Sequence, residues 1–121
     1  MQPAAVADAG GLLVLAGLLE GIDHEVDEVL VLDATSLLVA EYLALRHEGA
    51  PHRARAEFGL VNRVVSEWFP VRAVAIEAAI TVIGQDDIDG VAALELAETL
   101  DVPIITKNRD LSSRNIAVLY C

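Results

Sequence analysis

The chain has 121 residues, 55% of them apolar and only 4% aromatic, enough for one domain with a core of Leu, Val, Ile and Ala but too few for two. Its 19 acids outnumber its 8 bases for a formal charge of −11, and every base lies from Arg46 onward, with Lys107 the sole lysine. This excludes a disordered chain and a broad cationic nucleic-acid surface, so any phosphate contact must be local and come from the second half of the chain, a metal or a partner subunit.

The acid-rich, lysine-poor balance fits a salt-adapted cytoplasm or a GC-rich genome. One cysteine, Cys121, rules out an intrachain disulfide and fits a reducing compartment. Residues 1 to 45 hold no Lys or Arg to form a positive signal-peptide region, and the apolar run Leu12 to Leu19 is too short to span a bilayer. The expectation is a single cytoplasmic domain over residues 1–121 with no membrane association.

In chain order, Pro3 to Ala7 reads as a short strand ending at Asp8, and Gly10-Gly11 breaks into an apolar helix from Leu12 to about Leu19. Glu20 to Glu28 is an acidic loop and Val29 to Leu32 a second strand. Thr35 or Ser36 can cap a helix running to about His47. Pro51 can open another that carries Phe58, Val61, Val64, Val65 and Trp68 at helical spacing. Val71 to Val74 reads as a strand, Ala75 to Ile83 and Asp89 to Leu100 as helices, and Val102 to Thr106 and Ile116 to Tyr120 as the last strands. Strands alternating with helices predict an α/β three-layer sandwich with a mainly parallel central sheet, whose sites form at the carboxyl ends of strands.

Four segments offer chemistry at that rim. Asp8 lies where a strand opens into a helix, a position that suits a metal ligand and equally an ordinary N-cap. Glu41 falls on a helical wheel between Leu37, Leu38 and Leu45, opposite Thr35, Ser36, Arg46 and His47. An acid aimed into an apolar stripe must be neutralised, paired or bound to a cation, because burying it ionised and alone costs several kcal/mol. Asp86, Asp87 and Asp89 crowd the start of one helix, where the dipole favours acids; three exceed what capping needs, and Asp89 is the favoured inward member. Thr106, Lys107, Asn108, Arg109 and Asp110 follow a strand.

Other chemistries lack their residues. His24, His47 and His52 have neither HExxH spacing nor a companion Cys pair. The chain has no phosphate loop ending in Lys-Ser/Thr, no dinucleotide fingerprint around Gly10-Gly11 and no nucleophile elbow. The Asp-x-Asp pair of a dehalogenase-like phosphotransfer domain is missing after both Asp8 and Asp33.

The order of segments resembles a PIN domain, the nuclease fold of VapC-type toxins and of several RNA-processing factors. VADAGGLLVLAG looks like that family's strand–Asp–helix opening, SLLVAEYLAL like its helix with an inward Glu, and DGVAALELAETLDVPIITKNRDL like its closing acid–helix–strand–Thr segment. The resemblance implies an endoribonuclease dependent on Mg²⁺ or Mn²⁺, with RNA as substrate, an antitoxin protein as partner and a homodimeric state. It places Asp8, Glu41 and Asp89 as metal carboxylates and Asn108 where the family often has a fourth acid, with Asp110 able to compensate. Asp87 and Asp86 remain alternatives to Asp89. Thr106 would hydrogen-bond a ligand or the attacking water, and Lys107, Arg109 and Arg114 would hold phosphate. Asn at the fourth position also admits a second reading, a catalytically degenerate binding or assembly module. A second register, with Asp33 first and Glu57 second, leaves the first 32 residues outside the pattern.

Overall fold

The computed structural model describes residues 3–74 and 87–121. Five strands, β1 (Ala4–Ala7), β2 (Glu28–Leu32), β3 (Glu67–Phe69), β4 (Ile104–Thr106) and β5 (Val118–Tyr120), form one sheet. Every pairing is parallel, in the order β3-β2-β1-β4-β5. Among the described residues four α-helices flank it: α1 (Ala9–Leu15), α2 (Thr35–Arg46), α3 (Pro51–Val64) and α4 (Ile88–Leu100). The expected three-layer α/β sandwich with a parallel central sheet is therefore the observed one.

The layers follow from the two-residue alternation of the strands. Val6, Leu30, Leu32 and Ile104 pack on one face against Ala92, Ala93, Leu96 and Ala97 of α4. Ala7, Val29 and Val31 point the other way, onto Leu12 and Leu13 of α1, Val39 and Leu43 of α2, and Val61 of α3. Ala5 and Ile105 share that second side with Val14 and the buried thiol of Cys121. Each fully buried Leu, Ile or Val contributes roughly 2 kcal/mol. No helix among the described residues is long and apolar enough to cross a membrane.

Several boundaries differ from those read in the sequence. Helix α1 begins at Ala9, not Leu12, because Asp8 caps it directly by accepting from Gly11 N at 2.8 Å. The two glycines therefore lie inside the helix. It stops at Leu15, where Gly17 N donates to Val14 O and Leu18 N to Leu13 O, the closing pattern of a helix with a left-handed residue after its cap. Trp68 belongs to β3 and not to α3: α3 ends at the β-branched pair Val64-Val65, and Ser66 N then donates to Val29 O, starting the pairing with β2. Trp68 still reaches the same core as Phe58, Val61, Val64 and Val65.

The strand expected at Val71–Val74 is a 3-10 turn at Val71–Ala73, set by Pro70, whose fixed φ of −66° ends β3. The helix expected at Ala75–Ile83 and the residue Asp86 lie outside the described residues.

Between β1 and β4 the sequence order of the sheet reverses direction, the switch point at which parallel α/β sheets place a crevice at the carboxyl ends of their strands. Gly11 closes its floor: a Cβ at this position would lie 2.1 Å from the carbonyl oxygen of Ile105, so α1 can approach β4 only without a side chain. Gly59, in contrast, lies within α3 with nothing within 4 Å of an added Cβ. In urea unfolding, Gly11→Ala should destabilise by about 3 kcal/mol through overpacking against a backbone atom. Gly59→Ala should stabilise by roughly 0.5 kcal/mol by restricting the unfolded chain.

Candidate functional site

Two carboxylates 81 positions apart meet at the crevice. Asp8, at the end of β1, is 5% exposed; its Oδ1 accepts from Gly11 N at 2.8 Å and its Oδ2 from Thr106 Oγ1 at 2.5 Å. Asp89, in the first turn of α4, accepts from Ala9 N through Oδ2 at 2.8 Å and from Thr35 Oγ1 through Oδ1 at 2.6 Å. Each carboxylate is thus held by one main-chain N–H and one threonine hydroxyl. Both threonines are fully buried. No hydrogen bond that the described residues make to either carboxylate comes from Lys or Arg.

Asp87 supplies the third acid but has a different task. It is the N-cap of α4, its Oδ1 accepting from Gly90 N at 2.8 Å, while its Oδ2 accepts from Asn108 Nδ2 at 2.7 Å. A Cβ at Gly90 would lie 2.2 Å from Asp87 Oδ2, so this cap requires glycine three residues on. Asn108 in turn donates its own N–H to Thr106 Oγ1 at 3.0 Å and accepts from Asp110 N at 2.9 Å. Its amide therefore ties the loop after β4 to the start of α4. Thr106 spends its single hydroxyl proton on Asp8, so it orients that carboxylate rather than a water.

The lack of a counter-charge has a measurable consequence. Burial pushes the Asp8 carboxyl up from the ordinary 3.8 to about 6, against the hydrogen bonds from Thr106 and Gly11, and the charges of Asp89 and Asp87 add to the rise. Asp89 is raised as well, first by burial, against Thr35 and Ala9, with Asp87 as the neighbouring charge.

Glu41 does not join this cluster. It stands on the exposed face of α2, beside Leu37 and Leu45, which are 73% and 70% exposed. The wheel placed the leucines on one side correctly but turned that side inward. The buried stripe of α2 is Thr35, Val39 and Leu43, because these are the side chains that reach the sheet. Asp33 is exposed and Glu57 pairs with His47 Nε2 at 2.7 Å on the outer helices, so the alternative register is not assembled here either.

Asp110, Lys107, Arg109 and Arg114 are exposed on the loops that follow β4. Lys107 Nζ donates to Glu20 O at 2.8 Å, and the Arg109 guanidinium lies 5.2 Å from the centre of the Tyr120 ring. Among the described residues, no three His, Cys, Asp or Glu side chains stand close enough to hold a metal ion by themselves. Three contributors escaped the sequence reading: Thr35, placed on the wrong side of its helix, and Gly11 and Gly90, whose need for no side chain depends on atoms far away in sequence or on cap geometry. Compared with known protein families and with curated proteins, the chain matches neither a family model nor a curated sequence.

An acid whose folded pKa lies above its unfolded one binds its proton more tightly in the native state, so its stabilising contribution is full below about pH 3.8 and lost as pH rises through about 6. For Asp8 the loss by neutral pH is about 3 kcal/mol, and Asp89 acts in the same direction. Asp8→Asn should remove much of the fall in unfolding free energy between pH 4 and 6, measured by urea titration at each pH without divalent metal. An unchanged slope would show that Asp8 is not the titrating group.

Proposed function

We propose that the Asp8–Asp89 pair binds a divalent cation and that the chain is a PIN-type endoribonuclease, hydrolysing RNA phosphodiester bonds with a metal-activated water. The observation that carries this reading is one buried and one half-buried carboxylate, Asp8 and Asp89, held together at the switch point of a parallel sheet without a basic partner among the described residues. The donor set is all oxygen, which fits Mg²⁺ or Mn²⁺, and Mg²⁺ commonly uses one or two carboxylates with waters and substrate phosphate completing its shell. Each Asp8 and Asp89 oxygen accepts one hydrogen bond from the described residues and retains a lone pair beyond it.

The bound ion would supply a Lewis acid for a phosphate oxygen and a more acidic water. The chain's own residues divide the remaining work. Asp8 and Asp89 hold the cation, and both must be ionised to do so, so affinity falls in acid. Thr106 fixes the Asp8 carboxylate, Asn108 fixes Asp87 and the loop, and Lys107, Arg109 and Arg114 offer charge for the flanking phosphates. Asp87 and Asp110 can meet outer waters. The exposed Leu37, Leu38 and Leu45 support the protein-partner part of the reading, an antitoxin or a second copy in a homodimer. A cytoplasmic setting fits the single cysteine, Cys121.

Two observations favour a second reading, a PIN-like assembly module without catalysis: Glu41 is turned to solvent, and Asn108 is already engaged by Asp87 and Asp110. The two readings part in an RNA cleavage assay with Mn²⁺. The nuclease reading expects cleavage that EDTA abolishes and that Asp8→Ala or Asp89→Ala lowers by at least about a hundredfold, with Glu41→Gln close to wild type. Cleavage that survives EDTA or Asp8→Ala contradicts the nuclease site, and no cleavage with any single-stranded or structured RNA favours the module.

A further inference from the structure

Thr35 stands at the first position of α2, one residue inside the N-cap position from which a threonine side chain caps a helix. The N-cap is Ala34, with no side-chain cap bond, and Ser36 donates its hydroxyl to Asp33 O. The Thr35 hydroxyl instead donates to Asp89 Oδ1, 54 positions away, from a side chain with no exposed surface. Across the crevice, the buried Thr106 hydroxyl holds Asp8 Oδ2 in the same manner. The carboxylates are thus gripped from opposite sides by β4 and by α2.

We infer that Thr35, and not Glu41, is the contribution of α2 to the site, as a positioning residue that fixes the Asp89 carboxylate for a divalent cation. The inference rests on the metal reading above and adds a residue that the PIN resemblance did not place there. Its physical basis is the rotamer of Asp89. One oxygen is held by Ala9 N, a main-chain group that cannot be withdrawn, and the other by Thr35 alone among the described residues. With the hydroxyl removed, the carboxylate pivots about the Ala9 bond and the two acids lose their fixed relative orientation. Outer hydrogen-bond partners of metal carboxylates commonly change affinity about 10- to 100-fold.

Calorimetric titration of the full chain with Mn²⁺, alongside its thermal unfolding, tests the inference. Thr35→Val, which keeps the shape and removes the hydroxyl, should weaken Mn²⁺ binding by at least about tenfold. Thr35→Ser should restore it to within about threefold of wild type at a similar unfolding temperature, a rescue that a purely packing role would not give. Wild-type affinity in Thr35→Val, or no rescue by a folded Thr35→Ser, overturns the inference alone. No Mn²⁺ heat from the wild-type chain overturns the metal reading and this inference with it. If Thr35→Val does not fold, Thr35→Cys, of similar size and a weak donor, takes its place: a loss of Mn²⁺ affinity of about tenfold supports the inference, and affinity within about threefold of wild type overturns it.

Discussion

Keeping two like charges together out of water is the constraint around which this molecule is arranged. Asp8 and Asp89 each satisfy their oxygens with a main-chain N–H and a buried hydroxyl, groups that orient a carboxylate without neutralising it. Ionising Asp8 at neutral pH costs about as much as one or two fully buried leucines contribute. A fold with a modest aliphatic core carries that cost only where the surrounding structure is rigid, and here the four donors are Ala9 N and Gly11 N of α1, Thr35 at the start of α2 and Thr106 at the end of β4. Strain of this kind is concentrated where a ligand can relieve it.

The parallel sheet explains why these groups can meet. Parallel strands send the chain back across the sheet before the next strand, mostly through a helix, so their carboxyl ends and the following helix starts share one rim. Asp8, Thr35, Asp89 and Thr106 all sit on that rim, although they span most of the chain. The close approach beneath it, Gly11 against Ile105, sets the height of α1 over the strands, and Gly90 leaves room for the Asp87 cap at the start of α4. Thus the residues that shape the crevice are largely those with nothing to contribute chemically.

The elements with strong local signals were legible in the sequence. The apolar β1, β2 and β4 were found, as were α2 and α4 to within a residue or two and the start of α3, because their caps and periodicities are local. The same holds for Asp8 and Asp89, each placed by a strand end or a helix start. Glu41 shows the limit: α2 carries leucines at Leu37, Leu38 and Leu45 that look like a core stripe yet face outward, while the buried stripe of Thr35, Val39 and Leu43 is narrower and includes a polar residue. A helix with apolar residues on more than one side does not say which side meets the sheet. The β3 strand was misplaced for a related reason, since Trp68 continues the helical spacing of α3 by coincidence and only the pairing of Ser66 and Glu67 with β2 reveals the change of period.

The account turns on a cation held between two particular acids. Crystals grown or soaked with Mn²⁺ and measured at the manganese absorption edge would locate the ion directly. The expected result is an anomalous peak in the crevice between β1 and β4, with oxygens of both Asp8 and Asp89 at about 2 Å. A peak at Glu41, or ordered density for both carboxylates with no peak between them at saturating Mn²⁺, would contradict it.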